Sequence, residues 1–165
     1  MQLLDVPEKR KNTDIDAVTI SRINGLFSAS CDEYLAFCRI YGSVGIADFL
    51  WIRSPITENE FLNIFSSFER ILPTLFSPEQ RIIKDRTIRR SDDRWNFLPF
   101  AVSDNGDEFF IVENRVVAIP SRDPDYFDTQ LSLEDFLCHV MNGAYVEELF
   151  PVDLEFRKES IAAYA

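Results

Sequence analysis

The residues best suited to chemistry in this 165-residue chain are few and scattered. His139 is the one histidine, four residues after Asp135, and serines are plentiful, so a Ser-His-Asp hydrolytic triad is the first arrangement to weigh. The chain has no G-x-S-x-G turn to expose a serine nucleophile. On a helix, Asp135 and His139 are i, i+4 neighbours turned away from the apolar stripe, and the plainer reading is an exposed pair. Asp104-Asn105-Gly106-Asp107-Glu108 carries the oxygen donors of a calcium loop. An EF-hand spreads its ligands over about twelve residues ending in a bidentate acid, whereas here an apolar run starts at once. Asn-Gly accepts positive φ, so these residues read as a hairpin turn. Cys31, Cys38 and Cys138 with one histidine do not make the compact ligand set that zinc needs. The expectation is a protein that is not an enzyme, with no catalytic residue, no metal and no cofactor.

Binding chemistry is better represented. The formal net charge is -11, from 17 basic and 28 acidic side chains. Residues 101–150 hold 2 basic and 11 acidic side chains, net -9, so most of the excess lies in one stretch that also contains good strands. A folded surface must then display it. Its acids fall mainly in turns and one loop, and they nominate a partner-binding surface. The residues are Asp104, Asp107, Glu108, Glu113, Asp123, Asp125 and Asp128, with Tyr126 and Phe127 as apolar anchors. This charge argues against nucleic acid, which takes a basic surface. The one basic cluster, Arg81, Lys84, Arg86, Arg89, Arg90 and Arg94, is interrupted by Asp85, Asp92 and Asp93. It reads as a solvated helix with local ion pairs.

Length and composition frame these groups. One domain of ordinary size is expected over 1–165, with 1–12 loose and 151–165 as a C-terminal extension. The hydrophobic fraction of 46% includes fifteen Phe, ample for a core. No stretch approaches 18 apolar residues, and the N-terminus lacks the apolar core of a signal peptide, so no membrane segment is expected. Cys31 and Cys38, seven residues apart on one helix, would sit roughly 10 Å apart, too far for a disulfide. The expectation is a reduced, cytoplasmic protein.

Periodicity then supplies the elements. Ile15, Val18, Ile23 and Leu26 suggest a helix stopped by Gly25. Ser30-Cys31-Asp32-Glu33 is a capping-box pattern ahead of Tyr34, Phe37, Cys38 and Tyr41, with Gly42 as a left-handed stop. Gly42-Ser43-Val44-Gly45 reads as a turn and 46–53 as a strand covered on both faces, with Trp51 in the core. Thr57-Glu58-Asn59-Glu60 is a second capping box, for a helix from Phe61 stopped by Pro73. Ser77 and Pro78 open a third helix, leading into the basic cluster. Trp95, between polar residues, stays open between core and interface. Strands at 97–103, 108–112 and 115–119 form a meander, 120–128 a loop, 132–142 the last clear helix, and 152–165 a short helix. The fold class is α+β: a small antiparallel sheet whose three-strand meander packs against the helices at 31–41 and 132–142.

Leu98-Pro99-Phe100-Ala101-Val102-Ser103-Asp104-Asn105-Gly106-Asp107, followed by an apolar strand, a turn and Val116-Val117, resembles the central signature of the SUKH superfamily, the relatives of the yeast Smi/Knr cell-wall regulators. Tyr34-Leu35-Ala36-Phe37-Cys38-Arg39-Ile40-Tyr41-Gly42 resembles that family's first core helix and Ser132-Leu133-Glu134-Asp135-Phe136-Leu137 its closing helix. The likeness spans 14–143. Ser28-Ala29-Ser30-Cys31 stands where the family has Leu-Pro. The resemblance implies an α+β fold without a catalytic centre. In bacterial members it implies an immunity protein of a polymorphic toxin system, which binds and neutralises a toxin, often a nuclease. In fungal members it implies a scaffold or regulatory module. A nuclease presents a basic face to its substrate, and an acidic inhibitor can cover it. The expected partner is therefore a basic toxin domain.

Overall fold

The computed structural model describes residues 13–77, 80–123, 125–142 and 149–150, and the backbone of 161–164. The chain runs α1 (Ala17–Leu26), α2 (Asp32–Tyr41), β1 (Ser43–Ile46), β2 (Leu50–Ile52), α3 (Ile64–Leu75) and α4 (Arg81–Lys84). It continues as β3 (Arg90–Ser91), β4 (Arg94–Trp95), β5 (Phe97–Ser103), β6 (Glu108–Val112), β7 (Arg115–Ile119), β8 (Phe127–Asp128), α5 (Leu133–Met141) and β9 (Ile161–Tyr164). Seven strands form one sheet in the order β8-β7-β6-β5-β2-β1-β9, and every pairing in it is antiparallel. The fold is mixed α+β, with the expected meander at its centre: β5, β6 and β7 are sequential neighbours.

Helices cover both faces of this sheet. On one, Phe136 of α5 meets Phe100 and Phe109 at ring separations of 6.2 and 5.8 Å. On the same side α2 lies beside α5, and its Tyr34 hydroxyl donates to the Arg53 carbonyl at 3.0 Å. On the other face Phe68 of α3 and Phe27, just past α1, pack on Phe97 at 5.9 and 6.4 Å, and Phe97 meets Phe110 at 5.4 Å. Alternation along β6 sends Glu108 and Phe110 toward α3, and Phe109 and Ile111 toward α5. Register shifts between Pro99 and Ala101, a bulge that lets Phe100 as well as Ala101 serve the α5 face.

Several local expectations give way to other backbone solutions. The expected 46–53 strand is a hairpin: β1 pairs with β2 around Ala47 and Asp48, both at positive φ (54° and 50°). Gly42, at φ 69°, ends α2 as expected, but the strand starts directly after it. Gly25 does not stop α1, which continues through Leu26, and Val18 is 78% exposed. The N-cap of α1 is Asp16, whose carboxylate accepts from the Thr19 N–H at 2.6 Å. The first capping box does not form: Cys31 is the N-cap and makes no side-chain cap bond, and the Ser30 N–H goes to the Glu113 carbonyl. The second fails too. Asn63 caps α3, accepting from the Phe65 and Ser66 N–H groups, while Phe61 is 67% exposed ahead of the helix.

Pro73 sits inside the last turn of α3 rather than ending it. Near a C-terminus a lost N–H costs one bond, and the helix closes two residues later. The basic cluster is mostly not helical. After the four residues of α4 it crosses to the β3–β4 hairpin, whose turn residues Asp92 and Asp93 take positive φ. Trp51 is half-buried rather than core, and Trp95 is half-buried against Phe76 and Phe97. The expected loop at 120–128 ends in β8, and 161–164 is a strand where a helix was expected. The readings on 1–12, on Pro78 and on 151–160 lie outside the described residues.

Candidate functional site

The sheet has two ends, and the acidic stretch divides between them. Pairing of Leu50 with Ser103 and of Glu108 with Ile119 gathers the β1–β2 turn, the β5–β6 turn and the start of the β7–β8 loop at one end. The Asp104 N–H donates to the Phe49 carbonyl at 2.8 Å, fastening the first two turns. Asp107 fastens the third: one carboxylate oxygen takes the Ser103 hydroxyl at 2.6 Å and the other the Ser121 N–H at 2.8 Å. Gly106, at φ 85°, makes this tight turn possible. Asp104 and Asp123 are exposed here and make no ion pair among the described residues, and the same holds for Asp48 on the neighbouring hairpin. Asp123 also accepts from the Asp125 N–H at 2.9 Å. Arg122 is an exposed cation beside them.

The remaining expected site residues are engaged inside the molecule. Glu108 receives two hydrogen bonds, of 2.7 and 3.0 Å, from Arg53, which is fully buried. Glu113, on the turn at the other end of the sheet, pairs with Arg89 and Arg115, each at 3.3 Å. Asp128 takes Arg115 at 2.8 Å, and Asp125 takes Arg81 at 2.9 Å. The half-buried Tyr126 hydroxyl meets the Thr87 hydroxyl at 2.9 Å, and Phe127 is half-buried within β8. Bonds to Asp125 and Asp128 hold the Arg81 and Arg115 guanidiniums further above their ordinary range. Asp125 and Glu113 thus clamp 81–94 against the sheet edge through Arg81 and Arg89, whereas Asp128 and Arg115 brace β8 against β7. Of the local ion pairs expected for the basic cluster, Arg90 with Asp93 forms at 3.1 Å, whereas Arg81 and Arg89 find their acids on distant segments.

Of the nine residues nominated from sequence, the structure brings Asp104, Asp107 and Asp123 to this shared end, and it adds two residues that the sequence reading did not single out. Asp48 was hidden because its hairpin lacks the Asn-Gly or Asp-Gly signal. Arg53 carried a signal: an arginine closing the apolar run Leu50-Trp51-Ile52 needs a buried anion if it is to stay in the sheet.

Among the described residues, no group of three or more His, Cys, Asp or Glu side chains is placed to hold a metal ion, and no helix is long and apolar enough to cross a membrane. Cys31 and Cys38 are buried free thiols, both pushed up by burial to about 12. A scan against protein-family models, a search of curated proteins and a search of solved structures each returned no match to this chain.

Proposed function

We propose that this chain is a SUKH-like, non-enzymatic immunity protein of the cytoplasm that binds and neutralises a basic toxin domain, such as a nuclease. The observation that supports this reading is the placement of Asp48, Asp104 and Asp123. Three turns on a hydrogen-bonded sheet hold three exposed carboxylates, paired with no cation among the described residues, at one end of that sheet. Loops on a rigid frame are where binding groups usually sit. Their charge would raise the on-rate and set orientation against a basic face more than it deepens affinity. Asp107 holds the turns together, Glu113 and Asp125 serve the clamp, and Asp128 braces β8 against β7.

The test uses the product of the gene next to this one as the immobilised partner. Wild-type association should slow as salt rises, since screening acts over about 8 Å at physiological ionic strength. The triple variant D48K/D104K/D123K should associate more slowly, with a weaker salt dependence. A triple variant that associates at the wild-type rate with the wild-type salt dependence would overturn the acidic face. A neighbouring product that the chain neither binds nor neutralises would favour a scaffold role of the Smi/Knr kind.

A further inference from the structure

Between α3 and the β5–β6 turn lies a cavity of about 300 Å³. Ile71 and Leu75 of α3 and Ile119 of β7 form its apolar wall, and Thr74, Gln80 and Glu108 add polar groups. Two of these are acceptors short of donors. Gln80 Oε1 is closed off from solvent with no hydrogen-bond partner among the described residues, so a donor in the cavity meets it only after the side-chain amide turns toward the cavity it lines. The Glu108 carboxylate, gripped by Arg53 from the core side, is 22% exposed and keeps lone pairs beyond those Arg53 occupies. A shielded acceptor without a donor is unfavourable, and a donor brought in through the cavity relieves it. Arg70 also borders the cavity, but its guanidinium is turned back toward the start of α3. It lies 5.2 Å from the Phe61 ring centroid and 3.5 Å from the Ser67 hydroxyl. Gly106 sets the cavity mouth against the turn that carries Asp104 and Asp107.

We propose that this cavity receives an arginine side chain of the protein partner, an inference that rests on the acidic-face reading above. The aliphatic stem lies along Ile71, Leu75 and Ile119. The planar guanidinium, with five donors in a fixed fork, serves Gln80 Oε1 and the Glu108 carboxylate together. A lysine ammonium offers no such fork to acceptors on two different elements. The acidic turns steer the partner in, and the filled pocket holds it.

Two probes on the full chain separate pocket from face: Nα-acetyl-arginine amide for the pocket and hexalysine for the face. The arginine probe should shift the methyl NMR signals of Ile71, Leu75 and Ile119. It should bind about tenfold tighter than Nα-acetyl-lysine amide, the ratio expected of one well-made hydrogen bond. Gln80→Leu should weaken it by a similar factor, and Ile119→Trp, which fills the cavity, should remove it. Hexalysine should bind Ile119→Trp normally and D48K/D104K/D123K weakly. An arginine probe that leaves those methyl signals unmoved, or that binds Gln80→Leu as well as wild type, overturns the pocket whatever hexalysine does. Hexalysine that binds the triple variant as well as wild type overturns the face instead. Gln80→Leu and the lysine comparison decide the matter if Ile119→Trp does not fold.

Discussion

Arg53, just past the end of β2, and Glu108 of β6 are joined by two hydrogen bonds across the intervening strand β5, with the guanidinium fully buried and the carboxylate facing the cavity beside α3. Arg53 Nη1 also donates to the Ala101 carbonyl at 3.1 Å, and the Arg53 carbonyl accepts the Tyr34 hydroxyl. One arginine thus ties α2, the end of β2, β5 and β6 together. Its Nε has no partner, so the arrangement already carries one unmet donor. Glu108→Leu should destabilise the protein by about 3 kcal/mol, because a buried cation loses its counter-charge. The double variant Arg53→Met/Glu108→Leu should recover most of that loss. Urea unfolding of the two variants checks this. A double variant no more stable than Glu108→Leu would show that Arg53 is not the source of the cost.

Ala47 and Asp48 pass through the left-handed region that L side chains avoid. Three residues, Ala47 to Phe49, separate the paired Ile46 and Leu50, and replacing Ala47 by Asn and Asp48 by Gly supplies residues suited to positive φ at both central positions of the turn that the Phe49 N–H closes onto the Ile46 carbonyl. The expected gain is about 0.5–1 kcal/mol, seen as a higher urea midpoint at an unchanged slope. A lower midpoint would mean that the turn is not of this type.

The same hairpin shows where sequence reading reaches its limit. The central meander was legible because Asn105-Gly106 and Glu113-Asn114 separate apolar runs whose alternation fits a pleated sheet. The β1–β2 turn was not, because Ala47 has no intrinsic preference for positive φ and adopts it only under tertiary pairing. Helix existence at 32–41, 64–75 and 133–141 followed from apolar spacing. Helix starts did not, since a Ser or Thr three residues before a Glu competes with any nearby Asn or Asp. The candidate site divided in the same way. Which residues were acidic was plain, but which of them stayed unpaired depended on where Arg53, Arg81, Arg89 and Arg115 landed.

Asn63 makes that competition measurable. Its side chain caps two N–H groups of α3 and donates to the Thr57 carbonyl at 3.0 Å. Asn63→Ala should cost about 1–2 kcal/mol, at the upper end for a cap because the extra bond is lost too. Asn63→Asp should cost less, since it retains the accepting oxygen. Equal losses in thermal or urea unfolding would place the cost in the bond to Thr57 rather than in the cap.

The three thiols give a prediction that couples burial to pH. Cys38 is fully buried and Cys31 nearly so, whereas Cys138 on α5 is half-buried. Burial pushes Cys31 and Cys38 up to about 12 from an ordinary value near 9; burial, and then the neighbouring Glu134 and Asp135, raise Cys138. Only a thiolate attacks a disulfide reagent. At pH 8 one thiol should therefore react with 5,5′-dithiobis(2-nitrobenzoate) in the folded protein, more slowly than a free cysteine, and it should be Cys138. The other two should react at a rate set by opening of the core. The thermodynamic sign follows from linkage: a pKa raised in the folded state favours the folded protein fully below about pH 9, and that contribution is lost as pH rises toward about 12. Stability in urea should decline across that alkaline window in wild type, and decline less in Cys31→Ala/Cys38→Ala, which lacks both groups and starts from a lower baseline because it leaves small cavities. Prompt reaction of all three thiols at pH 8, or equal alkaline slopes for the two proteins, would show that the α2 thiols are not shielded in the folded chain.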